Sequence, residues 1–142
     1  MQAPKIEEFM VQPVFRVTPE MKLWEVAELM MKKRISGAPV VDTADRVVSV
    51  IGEGLVLRLA ATDGLEATIA HCLPKMTPAK NLIVLGRSDS FADAYKAFLK
   101  HNIHRIPIVD SAMMLVGIIS RTTILQMFVE SHYGKKIVRQ SS

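Results

Sequence analysis

An internal repeat constrains this chain more than any other feature of its sequence. When the chain is shifted by 68 residues against itself, residues 17–57 align without a gap on residues 85–125. The strongest part of the match places ISGAPVVD, residues 35–42, on IHRIPIVD, residues 103–110. Neither copy is long enough to bury a good core alone, whereas two docked copies bury a continuous one. We therefore predict two similar copies that pack with pseudo-twofold symmetry.

Each copy predicts a first helix through apolar residues that recur at helical spacing. These residues are Leu23, Val26, Ala27 and Met30 in the first copy, and Phe91, Ala94, Tyr95 and Phe98 in the second. We expect Thr18 to be the N-cap of the helix in the first copy, with Pro19 at its first position. Ser88 or Ser90 is expected to cap the equivalent helix of the second copy.

Short apolar runs predict the strands around that helix. One strand precedes it and two follow it, separated by turn-like segments. The predicted strands are 14–17, 38–41 and 47–51 in the first copy, and 82–85, 106–109 and 115–119 in the second. A last helix is expected to start near Glu53 or Arg121. The predicted fold class is α/β: two pseudo-symmetric β-α-β-β-α repeats packed as one module.

The repeat also predicts how the chain is divided. We place the first copy at residues 6–61, a linker with a short helix at 62–75, and the second copy at 76–131. The last helix is predicted to run through Val129. A basic, mobile tail is predicted at residues 132–142.

Composition excludes several classes of protein. Basic residues exceed acidic ones by only four and are not interleaved with aromatic residues, so nucleic-acid binding has weak support. No apolar run approaches the ~20 residues that cross a bilayer, and the N-terminal segment lacks the apolar core of a signal peptide. Cys72 is the one cysteine, which excludes an internal disulfide and favours a reducing cytoplasm.

The residues of catalytic and metal chemistry do not assemble into a known pattern. His101 and His104 are three residues apart, but no third ligand accompanies them, so we predict no metal site. Cys72 has no adjacent base, which argues against a nucleophile. Asp42 and Asp110 follow strands and are interpreted as turn formers. We therefore predict no catalytic residues and no enzyme activity.

The ordered motifs resemble a tandem CBS (cystathionine beta-synthase) domain pair, also called a Bateman module. The resemblance covers about residues 6–131 and is carried by MVQP (10–13), VTPE (17–20), SGAPVVD (36–42), MTP (76–78), HRIPIVD (104–110) and GIIS (117–120). It implies a regulatory, energy-sensing module that binds AMP, ADP, ATP or sometimes S-adenosylmethionine in clefts between the copies. It also implies a cytoplasmic homodimer that acts on an unidentified partner protein.

The resemblance also implies a nucleotide pattern of Gly-apolar-apolar-Ser/Thr-x-x-Asp. Its hydroxyl and backbone N–H groups face phosphate, and its Asp accepts from the ribose hydroxyls. The second copy keeps Gly117 and Ser120 but has Thr123 in place of the Asp. The first copy departs at all three positions, which are Ser49, Gly52 and Leu55. Losing a charge-assisted hydrogen bond costs about 1.5–3 kcal/mol, so the first cleft is expected to be degenerate.

The candidate ligand-binding residues come from both copies. They are Thr18, Ser36, Gly37, Ala38 and Pro39 in the first copy, and His104, Arg105, Ile106, Pro107, Ile119, Ser120, Arg121 and Thr123 in the second. A guanidinium group suits phosphate, which makes Arg121 the strongest candidate. Two alternatives stay open: residues 120–123 are an ordinary helix start, or the chain is a dimerisation module with clefts that bind nothing.

Overall fold

The structure is a computed structural model, and it describes residues 4–134. Contacts divide the chain into two compact units. Among the described residues, the first-repeat unit comprises Phe15–Leu82 and Met113–Leu115, and the second-repeat unit comprises residues 4–14, 83–112 and 116–134. None of the helices in the described part of the chain is both long and apolar enough to cross a membrane.

The first repeat contains two strands and three α-helices. They are α1 (Leu23–Lys33), β1 (Gly37–Val41), β2 (Val47–Gly52), α2 (Glu53–Asp63) and α3 (Ile69–Cys72), followed by two 3-10 turns, Leu73–Lys75 and Ala79–Asn81. Strands β1 and β2 are antiparallel neighbours. Apolar residues on one side of α1, among them Leu23, Val26 and Met30, are buried in the core of this unit.

The second repeat has the same order of elements. They are α4 (Phe91–Lys100), β3 (Arg105–Val109), β4 (Leu115–Ser120) and α5 (Arg121–Tyr133), with a further 3-10 turn at Ile6–Glu8. Strands β3 and β4 form a two-stranded sheet. Helix α5 ends at Gly134, whose positive φ of 68° is readily adopted by glycine. The helix therefore extends past the predicted end at Val129 and includes residues 132 and 133, where the predicted tail begins. Residues 135–142 of that predicted tail lie outside the described residues.

Equivalent backbone hydrogen bonds in the two repeats support the 68-residue register. The Val17 N–H donates to the Pro39 carbonyl at 2.9 Å, and the Leu85 N–H donates to the Pro107 carbonyl at 3.2 Å. The strands predicted at 14–17 and 82–85 are each reduced to a single parallel bridge. The strands predicted around the two prolines are present, and the α/β class with two strand-and-helix repeats is confirmed.

The predicted start of the first helix was wrong. Helix α1 begins at Leu23, and Thr18 lies in a turn, where its carbonyl accepts from the Met21 N–H at 3.1 Å. The reason is that the first N–H groups of a helix need acceptors. The Leu23 N–H reaches the Ala67 carbonyl at 2.9 Å, and the Trp24 N–H reaches the Leu65 carbonyl at 3.1 Å. Backbone carbonyls of the linker therefore accept from the first N–H groups of α1, which is the role predicted for the Thr18 side chain.

The N-terminal segment completes the core of the second-repeat unit. Ile6 and Phe9 are fully buried there, and the Phe9 ring meets the Phe91 ring edge-on with centroids 5.8 Å apart. The Ile6 N–H donates to the Asp89 carbonyl at 2.8 Å, and the Phe91 N–H donates to the Pro4 carbonyl at 2.9 Å. The first residues of the predicted first copy therefore belong to the folded unit of the second repeat.

Candidate functional site

The site is built where β4 ends and α5 begins, in the second-repeat unit. Ser120 is the N-cap of α5, and its hydroxyl accepts from the Thr123 N–H at 3.3 Å. In return the Thr123 hydroxyl accepts from the Ser120 N–H at 3.1 Å. This reciprocal arrangement is a capping box, with threonine where glutamate or glutamine is usual. Both side chains are buried, with 7% of Ser120 and 2% of Thr123 exposed.

Arg121 follows as the first residue of α5 and is exposed. Its backbone N–H donates to the His104 carbonyl at 3.1 Å. Its guanidinium Nε donates to the Ile103 carbonyl at 3.0 Å, and Nη2 donates to Oδ1 of Asn102 at 3.3 Å. These bonds tie the start of α5 to the loop that enters β3. They bring the backbone carbonyl of His104 to the first residue of α5.

The positive charge of Arg121 is not favoured by its position at the N-terminus of α5. The N-terminus of a helix carries a partial positive charge, so an anion there stabilises by about 0.3–1 kcal/mol and a cation gains nothing. Helix α5 has no acidic residue in its first turn, whereas the other three long helices each have one there: Glu25, Glu53 and Asp93. The guanidinium of Arg121 therefore gains nothing from the helix dipole, and its hydrogen bonds run to Ile103 and Asn102 instead.

The first repeat has the same backbone contact with the opposite charge. The Glu53 N–H donates to the Ser36 carbonyl at 3.0 Å, which is the equivalent of the bond between Arg121 and His104. Gly52 is the N-cap and provides no side-chain hydrogen bond. Leu55, in the position of Thr123, packs against the apolar core. This end of the first repeat offers a carboxylate and no hydroxyl where the second offers a hydroxyl and a guanidinium.

The other candidates are mostly strand residues with buried side chains. Those in the first-repeat unit are Gly37, Ala38 and Pro39 on β1, with Ser36 exposed just before the strand and Thr18 half-buried in its turn. Those in the second-repeat unit are Ile106, Pro107 and Ile119, which are buried, and Arg105, which is half-buried at the start of β3. Ile106 and Ile119 are part of the apolar core. The polar candidates grouped by the structure are therefore Ser120, Arg121, Thr123 and the backbone of His104.

Gly117 has a structural role that the sequence reading did not identify. A Cβ atom placed there would lie 2.5 Å from Sδ of Met10. The N-terminal segment runs beside β4 at this point, with the Val11 N–H donating to the Ile118 carbonyl at 2.8 Å and the Ile118 N–H donating back at 3.2 Å. In the first repeat Ser49 takes the equivalent position, and its hydroxyl donates to the Thr77 carbonyl at 2.8 Å. The signal was the methionine motif at the start of each copy, MVQP and MTP.

A second polar cluster fastens the linker to α2. The Asp63 side chain is only 3% exposed and accepts from Lys75 Nζ at 2.6 Å and from the Thr62 hydroxyl at 2.5 Å. His71 Nε2 lies 3.2 Å from its other oxygen. The hydrogen bonds from Lys75 and Thr62 hold the pKa of Asp63 below its usual value. All these partners belong to α2 and the linker, so we assign the cluster a structural role.

The described chain also contains Cys72, two turn aspartates and other residues of metal-ligating types. Burial raises the pKa of the Cys72 thiol, which disfavours the nucleophilic thiolate. Within residues 4–134 no three side chains of histidine, cysteine, aspartate or glutamate are grouped to hold a metal ion. Asp42 accepts from the Ala44 N–H, and Asp110 from the Ala112 N–H, both at 2.9 Å, as expected of turn formers.

Comparison with protein families gives two matches on this chain. The model of the CBS domain matches residues 6–61 and again residues 67–130. Among curated relatives, an uncharacterized protein of Methanocaldococcus jannaschii, MJ1232, is 32% identical over 123 residues, which are 87% of this chain and 39% of that protein. An inosine-5'-monophosphate dehydrogenase of Bifidobacterium longum is 28% identical over 80% of this chain and 20% of the enzyme. The chain thus spans well under half the length of these relatives.

Solved structures give the same fold. The AMP complex of CBSX2, a CBS-pair protein of Arabidopsis thaliana, has a TM-score of 0.77 and 25% identity, covering 90% of this chain and 98% of that one. The CBS domain pair of protein MJ0100, in complex with 5'-methylthioadenosine and S-adenosyl-L-methionine, has a TM-score of 0.79 at 20% identity and covers 92% of this chain and 99% of that one. At that lower identity the likeness concerns the fold alone.

Proposed function

Because the chain belongs to the CBS domain family and carries two copies of that domain, we propose that it is a regulatory module that senses an adenine nucleotide. Binding of AMP, ADP or ATP at the start of α5 would change the activity of a partner protein, and the module would itself catalyse nothing. The dehydrogenase relatives match this chain over only a fifth of their length, so their activity is not transferred to it.

The observation that carries this proposal is Arg121 at the first position of α5. The backbone N–H groups of a helix start already attract phosphate, and a guanidinium beside them adds a full charge and further donors. Its bonds to Ile103 and Asn102 hold the group in place before any ligand arrives, which reduces the entropy lost on binding. CBSX2, which binds AMP in its crystal structure, supports adenine as the base.

The proposal predicts that adenine nucleotides raise the melting temperature, because a ligand that binds only the folded chain stabilises it. AMP, ADP and ATP at up to millimolar concentration are compared with inorganic phosphate and with GMP by differential scanning fluorimetry. We expect a dose-dependent rise for at least one adenine nucleotide. Arg121→Ala should weaken the apparent affinity for that nucleotide at least tenfold, since it removes a charge-assisted contact to phosphate. The rise in melting temperature at a given nucleotide concentration should fall accordingly.

Glu53→Ala is the matched control, since Glu53 has the same position in the first repeat and the same backbone contact. It should leave the nucleotide response of the second repeat unchanged. Arg121→Lys separates charge from geometry and should retain part of the response. A flat response of the unaltered chain to every adenine nucleotide would refute the proposed function. An equal loss in both alanine variants would refute the role of Arg121.

A second candidate function is a dimerisation module that binds no nucleotide. The observation that favours it is an exposed apolar patch on α4 and α5, made of Tyr95, Leu99, Leu125 and Phe128. Leu99 is 72% exposed and Leu125 59%, and the rings of Tyr95 and Phe128 pack edge-on with centroids 5.5 Å apart. Adjacent exposed apolar side chains of this kind mark an interaction surface.

Light scattering distinguishes a dimerisation module from a nucleotide sensor. The dimerisation module predicts a dimer at micromolar concentration, with or without AMP. It predicts a monomer after Leu125→Glu, which places a charge in the patch. Leu57→Glu, at the equivalent position of α2, is the control for a general effect of the substitution. A monomer at all concentrations would count against the dimerisation module and leave nucleotide sensing unaffected.

A further inference from the structure

The N-terminal segment, residues 4–11, is attached to the rest of the second-repeat unit at two places. Its first attachment lies just before α4, where the Ile6 N–H donates to the Asp89 carbonyl at 2.8 Å. Its second attachment is Val11, which exchanges two backbone hydrogen bonds with Ile118 of β4, at 2.8 and 3.2 Å. A change that separates Val11 from β4 therefore frees the second half of the segment.

The side chain of Met10 lies directly against Gly117 of β4, beside this second attachment. A Cβ atom placed on Gly117 would be 2.5 Å from Sδ, 2.9 Å from Cγ and 3.3 Å from Cβ of Met10. Atoms forced this close in a packed interior push the neighbouring side chain or backbone away. The thioether and β4 therefore leave no room between them for a further heavy atom.

Met10 is also open to solvent on its other side, in contrast to the methionine of the equivalent motif in the first repeat. Met10 is half-buried and packs against the edge of the second-repeat core. Met76 is only 6% exposed and belongs to the core of the first-repeat unit. An oxidant in solution therefore has access to Met10, whereas Met76 is shielded.

From these contacts we propose that Met10 is a site of reversible oxidation, and that its sulfoxide releases the end of the N-terminal segment from β4. The oxidant is hydrogen peroxide, which takes two electrons from the thioether. The sulfur attacks one peroxide oxygen, an S–O bond forms and the O–O bond breaks. The hydroxide that leaves takes the proton of the transferred oxygen and departs as water. Methionine sulfoxide reductases reverse this modification.

The sulfoxide changes both the size and the polarity of the Met10 side chain. Its oxygen needs space and a hydrogen-bond donor. The adjacent backbone N–H groups of Val11 and Ile118 already donate to each other's carbonyls. A sulfoxide oxygen held against Gly117 would therefore lack a donor, whereas water satisfies it once the segment moves away from β4. No nucleotide takes part, so this inference is independent of the proposed function.

Graded treatment of the full chain with hydrogen peroxide tests this inference. Peptide mass spectrometry locates each sulfoxide, and hydrogen exchange followed by NMR reports on the segment. We expect Met31, which is 79% exposed, to be oxidised first and without effect on the segment. Oxidation of Met10 should then speed the exchange of the Val11 and Ile118 amides by about tenfold or more. It should also lower the melting temperature by at least about 3 °C.

Met10→Leu is the matched control, because it keeps an apolar side chain that peroxide does not oxidise. Its hydrogen exchange and melting temperature should not respond to the same treatment, whereas Met31→Leu should respond as the unaltered chain does. Met10→Gln places a polar group at the same position without any oxidant. It should show the faster exchange of Val11 and Ile118 from the outset, which keeps the test decisive if Met10→Leu is unstable.

Each outcome supports or overturns part of the proposal. A Met10 thioether that stays unmodified after Met31 and Met114 are fully oxidised shows that Met10 is not an oxidation site. Met10 sulfoxide with unchanged exchange at Val11 refutes release of the segment. An equal response of Met10→Leu assigns the effect to another methionine. Faster exchange that appears with Met10 sulfoxide and disappears after treatment with the reductase supports the proposal, and a failure of the reductase to restore slow exchange refutes reversibility.

Discussion

Glu53 and Arg121 occupy equivalent positions in the two repeats and carry opposite charges. Their backbone N–H groups make the same contact, at 3.0 Å to Ser36 and 3.1 Å to His104. Both side chains lie at the positive end of a helix. The acidic one stabilises its helix, and the basic one gains nothing from the helix dipole. The guanidinium of Arg121 instead donates to the Ile103 carbonyl and to Asn102.

Gly117 shows how one residue without a side chain sets a close approach. Gly117→Ala should destabilise the chain by about 1–3 kcal/mol, because the new Cβ would overlap Met10 and force this part of the N-terminal segment away from β4. Urea unfolding measures the change. The double variant Met10→Ala/Gly117→Ala should show a favourable coupling energy relative to the sum of the single variants. Strict additivity would show that Met10 does not limit this position.

Some residue-level features were predictable from sequence and others were not. Asp42, Asp110 and Ser90 follow local rules of turns and helix caps, and the structure confirms them. Thr18 obeys the same local rule and was nevertheless predicted wrongly. Carbonyls of a segment more than forty residues away satisfy the helix start instead. The residues next to Thr18 in the sequence cannot reveal that the acceptors for the helix start come from a distant part of the chain.

At the scale of elements, Asp63 joins the end of α2 to the linker through Lys75 and His71. Hydrogen bonds from Lys75 and Thr62 lower its pKa from 3.8, so the folded chain binds a proton there less readily than the unfolded chain does. The contribution of Asp63 to stability is therefore complete above its unfolded pKa. It is lost as the pH falls through the lower, folded pKa.

The lowered pKa of Asp63 predicts a measurable dependence of stability on pH. Asp63→Asn should lower the melting temperature at pH 7 and should flatten the loss of stability on acidification below about pH 4, since the titrating carboxylate is gone. Thermal melts between pH 3 and pH 7 measure both effects. Lys75→Gln should weaken the same contribution, and Lys80→Gln, which removes an exposed charge that is not a partner of Asp63, should not. A pH dependence identical to that of the unaltered chain in Asp63→Asn would contradict this assignment.

Most strands and helices could be predicted from the sequence because the repeat shows the same pattern of apolar runs and turns twice. Strands β1 to β4 and the starts of α2 and α5 agree with the alternation of apolar runs and turns. The strands predicted before the first helix of each repeat are the exception. Each makes one bridge rather than a ladder, which apolar residues alone cannot reveal.

At the scale of the whole molecule, the repeats in the sequence are not the folded units. The second-repeat unit takes Ile6 and Phe9 from the start of the first predicted copy, so its boundaries differ from those of the repeats. A shift of the sequence against itself finds the repeat but cannot reveal this, because residues 6–16 share no identity with residues 74–84. The residues that complete the second unit were visible only in the structure.

We propose that this CBS domain pair binds an adenine nucleotide through the second repeat. The decisive measurement is isothermal titration of the full chain with AMP. We expect saturable binding of one nucleotide per chain that is weakened at least tenfold by Arg121→Ala and unaffected by Glu53→Ala. Absence of saturable binding of AMP, ADP and ATP up to millimolar concentration, by a chain shown to be folded, would contradict it.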